Sequence, residues 1–281
     1  MVVASLAAVY VIWGSTYLAM RIAVESLPPF FMAGTRFLLT GTVLLVFLRA
    51  RGAPWPTVRQ WLYSLPVGGL MFVLGNGTVA FAEKHLSSGL AAVICGTMPL
   101  WVAAMGPLFG EKTSPREWAA LVLGFCGVAV LGLGGELRAE PFAAALVFAA
   151  PISWALGSLL ARRLPLPKGL MSAATQMLAG GAMMALLSVG VGEPVPWHPA
   201  RASVLAWAYL AVFGSLVAYS AYTYLLANTR PAVATSYSYV NPALAVFIGA
   251  AAGGEHVGPE TLVAVALIIS ATVLVMTAKR A

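Results

Sequence analysis

The sequence predicts an all-α integral membrane protein of ten transmembrane helices, arranged as two inverted five-helix repeats. Three observations carry that reading. The 281 residues are 60% hydrophobic and only 9% charged. Apolar runs of about twenty residues, the length that crosses a bilayer as a helix, recur along the whole chain. The second half also repeats, in order, the punctuation of the first.

A water-soluble domain carries roughly a quarter of its residues as charges. A mean hydropathy of +0.90 makes lipid the solvent for most of this surface. Lipid offers no hydrogen bonds, so spanning segments are helices or a closed barrel. A barrel alternates polar and apolar residues over segments of about ten. The unbroken runs rich in Leu, Ala, Val and Gly indicate helices instead.

Spans are expected at 3–23, 29–49, 59–83, 87–109, 115–134, 141–162, 168–190, 202–227, 231–252 and 258–278. Proline and glycine mark the joints, including Pro28-Pro29, Pro115, Pro141, Pro231 and Pro259. No loop is long enough for a soluble domain. The first run has neither the basic flank nor the clean cleavage pattern of a signal peptide, and the repeat needs it as a span.

Charge placement orients the spans. Eleven Lys/Arg lie in one set of loops: Arg49, Arg51, Arg59, Lys112, Arg116, Arg162, Arg163, Lys168, Arg230, Lys279 and Arg280. Four lie in the other: Arg21, Lys84, Arg138 and Arg201. The positive-inside rule then puts both termini in the cytoplasm, with the chain multi-pass in a bacterial-type inner membrane.

The same dispersal argues against nucleic acid as the partner of the net charge of +7. Cys95 and Cys126 sit inside apolar runs, without disulfide or redox spacing. His85, His198 and His256 lack ligand spacing, so neither a metal nor a cofactor is expected. No His or Asp lies at membrane depth to serve an enzyme, and no nucleotide-binding loop would power a pump.

The repeat is gapless over its central stretch. Phe81–Trp101 aligns onto Tyr224–Leu244, so Pro99 falls on Pro242, and Asn76 upstream falls on Tyr219. After one inserted residue, Gly110-Glu111 falls on Gly254-Glu255 and Pro115 on Pro259. Trp13 and Trp154 begin comparable spans, with Arg36 and Gln176 in the next helices. The repeats are expected over 1–137 and 138–281. Five is odd, so the second copy enters the membrane in the opposite sense. That architecture serves secondary transporters, whose sites lie near the midplane where the repeats meet. A membrane receptor or structural protein is the alternative, although neither needs pseudo-symmetric halves of opposed insertion.

The segment Trp13-Gly14-Ser15-Thr16-Tyr17, followed by Pro28-Pro29-Phe30 and Arg36-Phe37, resembles the opening of drug/metabolite transporter superfamily proteins. With the paired Pro99/Gly110-Glu111 and Pro242/Gly254-Glu255 blocks, the whole chain is similar to the ten-helix EamA-type exporters. The resemblance implies a central cavity lined by both halves, the fifth and tenth helices as scaffold, and export or exchange of small metabolites, amino acids or drugs.

Polar and aromatic side chains at depth nominate the site. The ninth span reads Thr235-Ser236-Tyr237-Ser238-Tyr239-Val240-Asn241-Pro242, five hydroxyls and an amide that are costly against lipid. Tyr237, Tyr239 and Asn241 are expected to face a cavity, and Ser236 and Ser238 equally to bond back to the preceding turn. The matching stretch of the fourth span is plainer, with Thr97 before Pro99. Asn76 and Tyr219 occupy equivalent depths. Trp13, Trp101 and Trp154 offer rings for an apolar solute. Pro99 and Pro242 each remove a backbone hydrogen bond and are expected to kink their helices beside the cavity.

Arg36 is the strong charge set within a span, expected either to brace the fold against a backbone carbonyl, Glu83 or Glu25, or to contact an anion. The chain has no Asp, and Glu83, at the outer end of the third span, is the carboxylate nearest the midplane. With no Lys/Arg pair at depth, a neutral or zwitterionic solute with an apolar part is expected, travelling by exchange, by facilitated diffusion or with coupling through Glu83. The small residues Ala120, Gly124 and Gly127 assign the fifth span to scaffold or to homodimer contacts.

Overall fold

The structure is a computed structural model. It describes residues 1–110, 114–131, 133, 135–229 and 236–277, with backbone alone at 136, 223, 226, 227, 239 and 276. The helices are α1 (Val2–Val24), α2 (Pro29–Ala50), α3 (Val58–Ala82), α4 (Ser88–Phe109) and α5 (Pro115–Leu131). After a short helix at Gly135–Ala139 come α6 (Pro141–Ala161), α7 (Leu170–Gly190), α8 (201–228), α9 (Tyr237–Gly253) and α10 (Pro259–Thr277). Among the described residues, seven helices (α1–α4 and α6–α8) are long and apolar enough to cross a membrane, and α9 and α10 contain shorter apolar helices.

Local chemistry sets the boundaries. Proline opens α2, α5, α6 and α10, where its missing N–H would have had no intrahelical partner. Thr57 and Gln60 form a capping box at the start of α3. Gly110 and Gly254 end α4 and α9 at φ +73° and +64°. That left-handed cap is sterically open to glycine, which explains why the repeat conserves a glycine at both ends.

Two helices depart from regular α geometry at corresponding places. In α3 the stretch Gly69–Gly77 is π-helical, and in α8 the stretch Leu210–Val217 is too. Such wide turns often accompany functional sites. The two prolines behave differently. In α4 the first piece ends at Cys95, the chain turns through Gly96 and Thr97, and a second piece starts at Met98. Pro99 therefore sits in a first turn, where it removes no helical bond. Pro242 lies inside the continuous helix α9. The expected pair of kinks is thus a break in α4 and an interior proline in α9. Thr272 Oγ1 of α10 donates to the Gly96 carbonyl at the break, at 3.4 Å.

Contacts between helices follow a rule: α2 lies along α7, α5 along α10, and α4 against α9. Helix α1 packs on α8 and α9, as α6 packs on α3 and α4. Exchanging each helix for the one five places on maps this set onto itself. Small residues bring the pairs close. A Cβ on Gly181 would come within 2.8 Å of the Leu38 backbone nitrogen, and one on Gly127 within 2.8 Å of Ile268 Cγ1. Gly127 thus faces α10 and Gly124 faces Leu100 of α4 and Ala271 of α10, while Trp118, Val122 and Phe125 of α5 are exposed.

The buried core is lopsided. At the end away from Met1, one contiguous cluster joins Met20, Leu27, Met32, Leu86, Ile94, Val147 and Leu210. Towards the Met1 end, buried side chains fall into smaller groups, such as Val9 with Leu225 and Leu44 with Ala174. The far end is also tied by carboxylates. Glu193 accepts from Phe30 N and Phe31 N at 3.1 and 2.7 Å, capping α2. Glu255 accepts from Ser88 N and Gly89 N at 2.7 and 3.0 Å, capping α4, and pairs with Arg21 at 3.4 Å. Negative charge at a helix start is favoured by the exposed N–H groups and the helix dipole.

Candidate functional site

A cavity of about 220 Å³ lies at the seam, lined by residues of α1–α4 and α6–α9. The two π-helical segments form part of its wall. Trp13 of α1 donates its indole N–H to the Gly214 carbonyl in the π segment of α8, at 3.0 Å. Trp154 of α6 lies over the π segment of α3, so close that a Cβ on Gly75 would sit 3.1 Å from its ring. Ser153 Oγ donates to the Leu70 carbonyl of that same segment at 2.7 Å. The two tryptophans therefore occupy corresponding places, each against the widened helix its own helix packs on.

Aromatic rings gather on one side. The ring centroid of Trp13 is 4.8 Å from Tyr237, 5.3 Å from Tyr222 and 6.3 Å from Tyr219, and Tyr222 is 5.6 Å from Tyr237. Edge-to-face pairs of this kind hold rings in fixed orientations. Phe37, Met71, Phe72 and Met177 continue the apolar wall.

Among the described residues, hydroxyls of Thr16, Ser158, Ser215, Ser238 and four tyrosines line the cavity beside two amides and one charge. Asn76 and Asn241 both line the cavity, and the Oδ1 of each is buried without a hydrogen-bond partner. Arg36 is 5% exposed and lines it too. Its Nε donates to Ser215 Oγ at 3.0 Å, and its guanidinium lies 4.6 Å over the Phe37 ring. Its Nη1 has no partner. Neither Glu83 nor Glu25 holds Arg36: among the described residues no carboxylate pairs with it, and its bracing comes from a hydroxyl and a ring.

Of the residues nominated from sequence, Trp13, Asn76, Trp154, Tyr219, Tyr237, Asn241, Pro242 and Arg36 come together around the cavity. Four stand apart. Thr97 is buried and donates back to the Ile94 carbonyl at 2.6 Å. Trp101 packs edge-on to Phe125 of α5 at 5.1 Å. Pro99 opens the second piece of α4. Glu83 is 2% exposed and ends α3 outside the cavity, both oxygens without hydrogen-bond partners. Beyond the break at Gly96, Met98 still lines the cavity, whereas Trp101 turns to α5. The side chain of Tyr239 and the whole of Thr235 lie outside the described residues. Of the two serines, Ser236 bonds to Tyr10 of α1, and Ser238 lines the cavity.

Sequence reasoning missed Tyr17, Ser215 and Tyr222. Each is three or four residues from a nominated one (Trp13 or Tyr219), so the helical period could have found them.

Comparison with known proteins decides the family. The model of the EamA-like transporter family matches residues 1–133 and again 141–277. The chain belongs to this family. The EamA-like transporter is 44% identical over 276 residues to the inner membrane transporter YedA of Escherichia coli strain K12, covering 98% of this chain and 90% of that protein. It is 27% identical to a transporter of Archaeoglobus fulgidus, over 98% of this chain and 96% of that one. A chain of known crystal structure superposes with a TM-score of 0.67 at 22% identity, covering 96% and 95% of the two chains, which shows a shared fold. The EamA-like transporter is thus a multi-pass membrane transporter and not an enzyme.

Proposed function

We propose that this EamA-like transporter is a secondary exporter or exchanger that moves small amphipathic solutes by alternating access. Its ten helices act as two inverted repeats, over 1–137 and 138–281, with both termini in the cytoplasm of a bacterial-type cell. One observation carries the reading: the cavity at the seam takes walls from both halves and holds buried polar groups that nothing in the fold satisfies. An unsatisfied polar group in a low-dielectric interior costs about 1–3 kcal/mol, and water or a solute would relieve it.

Three further features support it. Corresponding helices exchange contacts in the pattern expected of pseudo-symmetry. The π segments of α3 and α8 give each half a widened helix at the cavity wall. The contiguous core closes the end away from Met1. With the termini inside the cell, that end faces outward.

Counterflow in proteoliposomes tests the proposal. Vesicles carrying the protein and loaded with an unlabelled solute from a panel of amino acids, organic acids and amphipathic drugs should accumulate the labelled form transiently. Saturable binding without counterflow for any solute would favour a receptor. A reporter fused to the C-terminus that appears outside the cytoplasm would remove the topology.

A further inference from the structure

We propose that Arg36 is the anion-reading residue of the cavity, and that the ligand it takes is an organic monocarboxylate with a hydrogen-bond donor and an apolar body. The inference rests on the transport reading only in taking the cavity to be open to solutes.

Arg36 is the sole charged side chain in the described lining. It is held in place yet left unsatisfied. Ser215 takes Nε and Phe37 supports the plane, while Nη1 is buried with no acceptor. A guanidinium fixed on one edge presents the rest of its fork to a planar, two-oxygen anion. Gly214 keeps that approach clear, because a Cβ there would lie 3.3 Å from Arg36 Nη2.

Charge balance selects the class. Burying an uncompensated charge is expensive. A site with one positive charge is therefore best filled by one negative charge. A zwitterion would leave the lining's excess charge in place, and its ammonium would find no carboxylate among the described lining residues. A phosphate dianion would need a second cation. The neutral or zwitterionic solute expected from sequence gives way to a monoanion because Arg36, free of any carboxylate, faces the cavity. The unpaired Oδ1 atoms of Asn76 and Asn241 call for a donor on the ligand. Trp13, Trp154 and Tyr219 supply flat apolar surface. The cavity volume of about 220 Å³ leaves room for a compact aryl or branched acid.

The test uses the full chain in lipid nanodiscs, with calorimetry and thermal shift. The probes are para-hydroxyphenylacetate, its amide, tyramine, tyrosine, inorganic phosphate and chloride. The acid should bind at least tenfold more tightly than the amide, amine or zwitterion. Arg36→Gln should lower acid affinity to that of the amide, and Arg36→Lys should restore part of it. Gly214→Val, which keeps the charge and crowds the guanidinium, should weaken acid binding more than amide binding, and it serves as the test if Arg36→Gln does not fold. Equal affinity for acid and amide, unchanged acid binding in Arg36→Gln, or chloride or phosphate binding as well as the acid would each overturn the inference. The two readings fail separately. Counterflow of neutral solutes with no acid preference would sink the role of Arg36 alone. Acid binding that depends on Arg36 but never produces flux would sink transport alone.

Discussion

Gly96 of α4 and Pro242 of α9 meet at the seam so closely that a Cβ added to Gly96 would lie 2.5 Å from Pro242 Cγ. The contact joins the break in one helix to the interior proline of its counterpart. A proline ring cannot swing aside as a long side chain does. Gly96→Ala should therefore destabilise by about 1–3 kcal/mol, the usual cost of overpacking a core, read as a lower melting temperature in detergent. Combining it with Pro242→Ala should return part of that loss, since contacting sites couple by about 0.5–3 kcal/mol. Pro242→Ala alone should lower the transport rate more than protein abundance. Equal loss of both would mean that the proline only packs.

The far end should respond to its carboxylates unequally. Glu255 is nearly buried and satisfies two backbone N–H groups at the start of α4. Glu255→Ala should cost about 2–4 kcal/mol by orphaning both, and Glu255→Gln less, because the amide keeps one acceptor. The Arg21 partner is 38% exposed, so the ion pair itself adds little. Glu193→Ala, at a half-buried cap, should cost about 1 kcal/mol. Thermal unfolding of the purified variants orders the series, and a Glu193 variant weaker than the Glu255 variant would contradict it.

Tryptophans at similar depth should separate by function. Trp154 lines the cavity, so Trp154→Ala should change the apparent affinity for transported solutes several-fold. Trp101 packs on Phe125 away from it, so Trp101→Ala should lower stability and leave affinity alone. Concentration dependence of flux in proteoliposomes distinguishes them, and a shifted KM for Trp101→Ala would contradict the assignment.

Close approach of α2 and α7 predicts intolerance at Gly181. A Cβ there meets the backbone of Leu38 at 2.8 Å, and backbone cannot yield without moving the helix. Gly181→Val should abolish a monodisperse peak on size exclusion. Gly190→Val, where a Cβ would meet nothing, should leave it intact.

Helix positions were largely legible in the sequence, because the energy that sets them is local and one-dimensional. A run placed at 29–49 appears as Pro29–Ala50, and one placed at 141–162 as Pro141–Ala161. Apolar length, opening prolines and closing glycines carry that information. The cavity was legible in part. Trp13, Asn76, Tyr219 and Asn241 could be nominated because polar or aromatic groups at bilayer depth need a reason. Thr97 and Trp101 looked equivalent by the same test, and nothing in one dimension showed that α4 breaks before them.

By itself the sequence determined a helical membrane chain, its duplicated punctuation and the burial of a lone arginine at depth, since hydropathy and spacing are properties of neighbouring residues. Tertiary structure decided which face of each helix meets the seam, that Arg36 lies against Ser215 and Phe37 instead of a carboxylate, and that Glu83 stands outside the cavity. Those outcomes depend on contacts between residues far apart in sequence, 179 positions for Arg36 and Ser215 and 226 for Tyr10 and Ser236. Only packing of whole helices, steered by π segments and close glycines, brings such residues within reach of one another.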